Sequence, residues 1–146
     1  ATVCEEDFPK KIADIVQKYG LKFSCIAIES KIEATVIIGG EVSALNGNAY
    51  NGEGRFVVAE ADESDGSFLK LNPYLALVTN IEDDHLDYYG TEENIYKAFK
   101  QFLGNLVDGG KAILCVDNAK VKALAQETDK EVITYGCGGW NAIHRL

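Results

Sequence analysis

The segments Glu60-Ala-Asp-Glu-Ser-Asp65 and Asn80-Ile-Glu-Asp-Asp-His-Leu-Asp87 hold the residues of this chain best suited to chemistry. Each directly follows a run of strand-forming residues, Arg55-Phe-Val-Val-Ala59 before the first and Tyr74-Leu-Ala-Leu-Val-Thr79 before the second. Carboxylates and an imidazole at strand ends place hard ligands along one edge of a sheet, where open α/β sheets bind their ligands. Oxygen-rich clusters with one histidine suit Mg2+ or Mn2+, ions that commonly serve phosphate chemistry.

The residues alone leave a plainer reading open beside this one. A carboxylate leaving a strand, as Glu60 does, is either a ligand or a solvated loop residue. Asp62, Glu63 and Asp65 follow it within five positions. That much negative charge repels itself unless a cation or helix N-termini offset it. His85 is one of two histidines and stands among Asp83, Asp84 and Asp87. It reads as a metal ligand, as an oriented acid or base, or as an ordinary surface side chain. The Gly39-Gly40 pair could cradle a phosphate, but no Gly-x-x-x-x-Gly-Lys-Ser/Thr pattern occurs in the 146 residues.

Strands alternating with helices must position these groups. Phe8, Ile12, Ile15, Val16 and Tyr19 form one apolar stripe over Asp7 to Tyr19, with Asp7 as N-cap, Pro9 in the first turn and Gly20 as the stop. Lys22 to Glu29 and Ala34 to Ile38 read as strands, and Gly39 to Gly54 as turns. Two further strands lie near 55–60 and 74–81. A second amphipathic helix carries Ile95, Phe99, Phe102, Leu103 and Leu106, with Thr91 as its cap. Lys111 to Val116 is a buried strand, Asn118 to Gln126 a short helix and Glu131 to Tyr135 a last strand. This alternation predicts an α/β fold, a single three-layer domain with a mainly parallel sheet flanked by helices.

Composition narrows the partners. With 23 acidic against 14 basic residues the net charge is −9, which disfavours nucleic acid and anionic membrane. No apolar run approaches spanning length, and the N-terminus lacks the plan of a signal peptide, so a cytoplasmic protein is expected. Cys4, Cys25, Cys115 and Cys137 contain no Cys-x-x-Cys pair and read as reduced thiols. Cys115, Trp140 and the aromatic helix stripe read as core. A zinc site from Cys137 and His144 fits no common spacing.

From Ala34 to Gly136 the chain resembles the central, ATP-binding domain of the Mur ligases. The resemblance rests on Val36-Ile-Ile-Gly-Gly-Glu41, Val58-Ala-Glu-Ala-Asp-Glu-Ser-Asp-Gly-Ser-Phe68, Thr79-Asn-Ile-Glu-Asp-Asp-His-Leu-Asp87 and Lys111-Ala-Ile-Leu-Cys-Val-Asp117. These motifs are most like those of the type that adds L-alanine to UDP-N-acetylmuramate. The resemblance implies ATP and Mg2+ (or Mn2+) as cofactors and an acyl phosphate attacked by the amine of L-alanine. It implies Glu60 and His85 as the catalytic, metal-holding residues, with Asn80, Asp84 and Asp62 orienting ligands or water. Family members carry a Gly-Lys-Thr loop shortly before the segment matching Ala34. Residues 1–33 do not align to it, so the chain reads as one central domain over 1–146 whose first 33 residues are a foreign or rebuilt segment. The resemblance leads to the expectation that the domains holding the UDP part and receiving the amino acid are absent and that the tail after Gly136 departs from the family. The expectation is a fragment or chimera of the ligase, inactive alone; the alternative is a non-enzymatic scaffold keeping only the fold.

Overall fold

The computed structural model of the protein describes residues 34–42, 47–137 and 141–143. The helix expected over Asp7 to Tyr19, the strand over Lys22 to Glu29, Trp140 and His144 lie outside the described residues. The chain divides into two compact units, Ala1–Ala61 and Asp62–Leu146.

In the first unit, β1 (Thr35–Val42), β2 (Gly47–Tyr50) and β3 (Val57–Ala59) form a three-stranded sheet in the order β2-β1-β3. β1 runs parallel to β3, with Thr35 beside Val57 and Ile37 beside Ala59. It runs antiparallel to β2, with Val36 beside Tyr50. The period of two puts Val36 and Ile38 on the buried face, while Ile37 is half exposed on the other. Here the structure corrects the expectation of turns from Gly39 onward. β1 continues through Gly39 and Gly40 to Val42, and Gly47–Tyr50 pairs back onto it. The register shifts between Ile37 and Val42. Glycines inside a strand commonly mark such an irregularity, and Gly39 and Gly40 lie within the shifted stretch without ending the strand.

In the second unit, β4 (Leu75–Val78), β5 (Lys111–Cys115), β6 (Glu131–Tyr135) and β7 (Asn141–Ile143) form a four-stranded sheet in that order. β4, β5 and β6 are parallel, and β7 is an antiparallel edge that the sequence reading did not contain. Ala112, Ile113 and Leu114 of β5 are fully buried, as expected of a central parallel strand with an uninterrupted apolar run. The fold class is α/β, with a mainly parallel sheet and helices, as the alternation of elements predicted.

Three helices occur among the described residues of this unit: α1 (Leu86–Tyr89), α2 (Glu92–Gly104) and α3 (Ala119–Glu127). α2 starts at Thr91, whose hydroxyl accepts from the Asn94 N–H, and buries Ile95, Ala98, Phe102 and Leu103 at helical spacing. Phe68, on the 3₁₀ turn Ser67–Lys70, packs its ring 5.3 Å from Phe99 and 5.1 Å from Phe102. α3 is capped by Asn118 and buries Val121, Leu124 and Ala125. Each fully buried Leu or Ile here stabilises the unit by about 1.5–3 kcal/mol. Cys115 is half-buried at the end of β5, nearer the rim than the core position expected for it. Burial beside Cys115 pushes the Tyr135 hydroxyl pKa well up, so it stays neutral.

Candidate functional site

The first acidic cluster begins where β3 ends. The Glu60 N–H donates to the Ile37 carbonyl at 2.9 Å, which carries the β1–β3 ladder one residue past Ala59. Its side chain turns back along β1, and Oε2 accepts from the Gly39 N–H at 2.8 Å. That contact fixes one carboxylate oxygen, and Oε1 has no protein hydrogen bond among the described residues. A carboxylate oriented by one backbone donor and otherwise open to solvent is suited to meet a ligand.

The rest of this cluster belongs to the second unit and forms a tight loop. Asp62 Oδ1 accepts from the Ser64 N–H and Asp65 Oδ1 from the Ser67 N–H, both at 2.8 Å. These are Asx turns, in which the side chain stands in for a backbone carbonyl two residues along. The Ser64 hydroxyl and N–H hold the Asp62 carboxyl below the usual aspartate range, and the Ser67 hydroxyl and N–H do the same for Asp65. Local donors therefore meet much of the negative charge whose self-repulsion the sequence raised. The Glu63 carbonyl accepts from Gly66 N–H at 3.2 Å and from the Tyr89 hydroxyl at 2.5 Å. Burial raises the Tyr89 pKa, as do Tyr88 and the carboxylates of this loop, so the hydroxyl stays a donor.

His85 stands at the head of α1 with φ 59° and ψ 34°, the one non-glycine among the described residues in the left-handed region. Histidine tolerates that region better than most side chains, but the surroundings must still hold it there. Its carbonyl accepts from the Tyr88 and Tyr89 N–H groups, each at 3.0 Å. Its ring is half-buried, with Nε2 3.7 Å from Glu63 Oε1. His85 also lowers the Asp62 pKa, after the larger effects of Ser64. The structure therefore brings Glu63 and His85 together.

The other expected residues stand differently. Asn80 is exposed and accepts from the Thr79 hydroxyl at 2.7 Å. Asp84 is exposed and makes no hydrogen bond among the described residues. Its neighbours are tied down: Asp83 to the Lys120 ammonium, and Glu82 Oε1 to Asn118 Nδ2 at 3.2 Å. Sequence reasoning missed the Gly39 contact, the roles of Lys120 and Asn118, and the Asx turns. Only the last left a signal, the spacing Asp-x-Ser written twice in Asp62–Ser64 and Asp65–Ser67.

No group of three or more His, Cys, Asp or Glu side chains placed to hold a metal ion occurs among the described residues. Mg2+ keeps most of its waters and takes one or two protein ligands with substrate phosphates. The Glu60 carboxylate and the His85 imidazole, each taken within its own unit, are donor types that can serve as single ligands to such an ion. No described helix is long and apolar enough to cross a membrane.

Comparison with known proteins places these features in a family. A family model described as Mur ligase middle domain matches residues 13–145, so its match begins within the first 33 residues. UDP-N-acetylmuramate–L-alanine ligase of Desulforamulus reducens is 52% identical over 118 residues, covering 81% of this chain and 26% of that protein. The enzyme of the same name from Pelotomaculum thermopropionicum is 49% identical over 104 residues, 71% of this chain and 23% of that protein. The chain thus spans about a quarter of the length of the curated relatives it matches. Among solved structures, UDP-N-acetylmuramate-alanine ligase from Thermotoga maritima shares the fold with a TM-score of 0.62 at 24% identity, over 95% of this chain and 28% of that one. The chain belongs to the Mur ligase family, as a representative of its middle domain.

Proposed function

We propose that this chain is the middle-domain part of an ATP-dependent amide ligase of peptidoglycan synthesis, one that joins L-alanine to UDP-N-acetylmuramate through an acyl phosphate. The observation that carries the reading is the left-handed backbone of His85, whose ring is held beside Glu63 at the head of α1. Strained non-glycine residues persist where the surroundings over-determine them, and they cluster at functional sites. The identity to the two alanine-adding relatives supports the choice of substrates.

In this reading Glu60 and His85 would each serve as a ligand to divalent Mg2+ (or Mn2+), which would supply Lewis-acid stabilisation of charge on phosphate oxygens when bound. Gly39 orients the Glu60 carboxylate through its N–H. Asp62, Asn80 and Asp84 orient ligand or water. Cytoplasmic location belongs to the same reading. The chain itself holds no Gly-x-x-x-x-Gly-Lys-Ser/Thr loop, so the β- and γ-phosphates lack the backbone cradle and lysine that such loops provide. ATP hydrolysis by the chain alone is therefore expected to be undetectable, and turnover that vanishes in Glu60→Ala would refute that statement.

Calorimetric titration of Mg2+ and ATP, singly and together, into the wild type and the Glu60→Ala/His85→Ala variant tests the site. The expected result is heat in the wild type that is lost in the variant. Equal heat in both, or none in the wild type, overturns the assignment of these two ligands.

A further inference from the structure

We propose that Lys120 is a positioning residue that latches the loop carrying His85, a role that rests on the reading of His85 as a metal ligand. The loop between β4 and α1 contains three consecutive carboxylates, Glu82, Asp83 and Asp84, all exposed. Left to themselves they would push the segment toward solvent. The start of α3 meets two of them, Glu82 and Asp83. Asn118 uses Oδ1 to cap α3 at the Val121 N–H, 3.1 Å away, and its Nδ2 to reach Glu82. Two residues on, the Lys120 ammonium pairs with Asp83 and lies 3.6 Å from Glu92 Oε2 in the first turn of α2.

One ammonium thus joins three segments: the loop, the start of α2 and the start of α3. Asp83 is two residues before His85, so the latch fixes the chain just ahead of the left-handed residue. On the far side the Tyr89 hydroxyl ties α1 to the Glu63 carbonyl, and Asn94 Nδ2 donates to the Tyr89 carbonyl at 2.8 Å. His85 is bracketed between these two sets of ties. A surface ion pair by itself adds little to global stability. The convergence of three segments predicts a local effect, confined to the turn that begins at His85.

The test compares Lys120→Met, Lys120→Arg and Lys97→Met in the full chain. Lys97→Met is the control, because it removes an ordinary helix-surface pair with Glu93 at 2.7 Å. Amide hydrogen exchange reads the Tyr88 and Tyr89 N–H groups, which donate to the His85 carbonyl. In Lys120→Met their exchange is expected to quicken by about three- to tenfold, with α2 amides changing less than about twofold. Lys120→Arg keeps the charge and should restore protection. Exchange in Lys120→Met no faster than in Lys97→Met overturns the latch. If Lys120→Met fails to fold, Asp83→Asn reads the same contact from its other end, and unchanged Tyr88 and Tyr89 exchange there overturns it equally. Mn2+ broadening of the His85 ring resonances is measured in parallel. Its absence in the wild type removes the metal reading, while the exchange result judges the latch separately.

Discussion

Gly66→Ala tests how the acidic loop is held against α1. Gly66 is buried and has φ 69°, a region costing an L-residue about 1–2 kcal/mol. An added methyl would stand 2.8 Å from the Tyr88 hydroxyl and 3.2 and 3.3 Å from two of its ring carbons. Tyr88 is 57% exposed, so the ring can swing away. In doing so it gives up its edge-on contact with Tyr89, whose ring centre lies 4.9 Å away. Aromatic pairs contribute about 0.5–1.5 kcal/mol, and this exposed one belongs at the low end. The two costs together put Gly66→Ala at about 2 kcal/mol. Urea denaturation of Gly66→Ala, Tyr88→Ala and the double variant separates them. The glycine substitution should cost about 0.5 kcal/mol less when Tyr88 is already alanine. A loss below about 0.5 kcal/mol in the wild-type background would show that the left-handed turn is not required there. Equal losses in both backgrounds would remove Tyr88 from the account.

Two further outcomes follow from the caps and turns. Thr91→Ala removes the acceptor for the Asn94 N–H and should destabilise the second unit by about 1 kcal/mol in thermal or chemical unfolding, while Thr91→Ser should cost much less. Asp62 and Asp65 have depressed folded pKa values, so their stabilisation is present above the ordinary aspartate range and lost as pH falls through the folded values. The double variant Asp62→Asn/Asp65→Asn keeps an acceptor for each turn, so its melting temperature should fall less steeply than the wild type's below about pH 4, and parallel curves would remove these two residues from the acid response.

Much of the second unit was legible because the signals were local. Thr91 is a polar residue placed just before an apolar stripe and became the expected N-cap, while Asn118, read as the first residue of a short helix, caps it from one position outside. Lys111–Cys115 and Glu131–Tyr135 are short apolar runs bounded by turn residues, and each became a strand. What escaped depends on pairing. β2 and β7 are short, polar or glycine-flanked segments that become strands only because β1 and β6 offer them a ladder. α1 is four residues long, too short for an apolar stripe. At the site the residue types were visible, but their orientation was not. Nothing in the order of residues says that Gly39 would hold Glu60, or that His85 would sit in the left-handed region.

The three residues of β7 have a consequence for solubility. They occupy the outer edge of β6, pairing Asn141 with Thr134, Ala142 with Ile133 and Ile143 with Val132. Without them, Glu131–Tyr135 would present a row of open N–H and C=O groups on a strand rich in β-branched and aromatic residues, a template for pairing with another molecule. A stretch of backbone shorter than one helical turn thus decides whether that flank of the sheet is closed or adhesive.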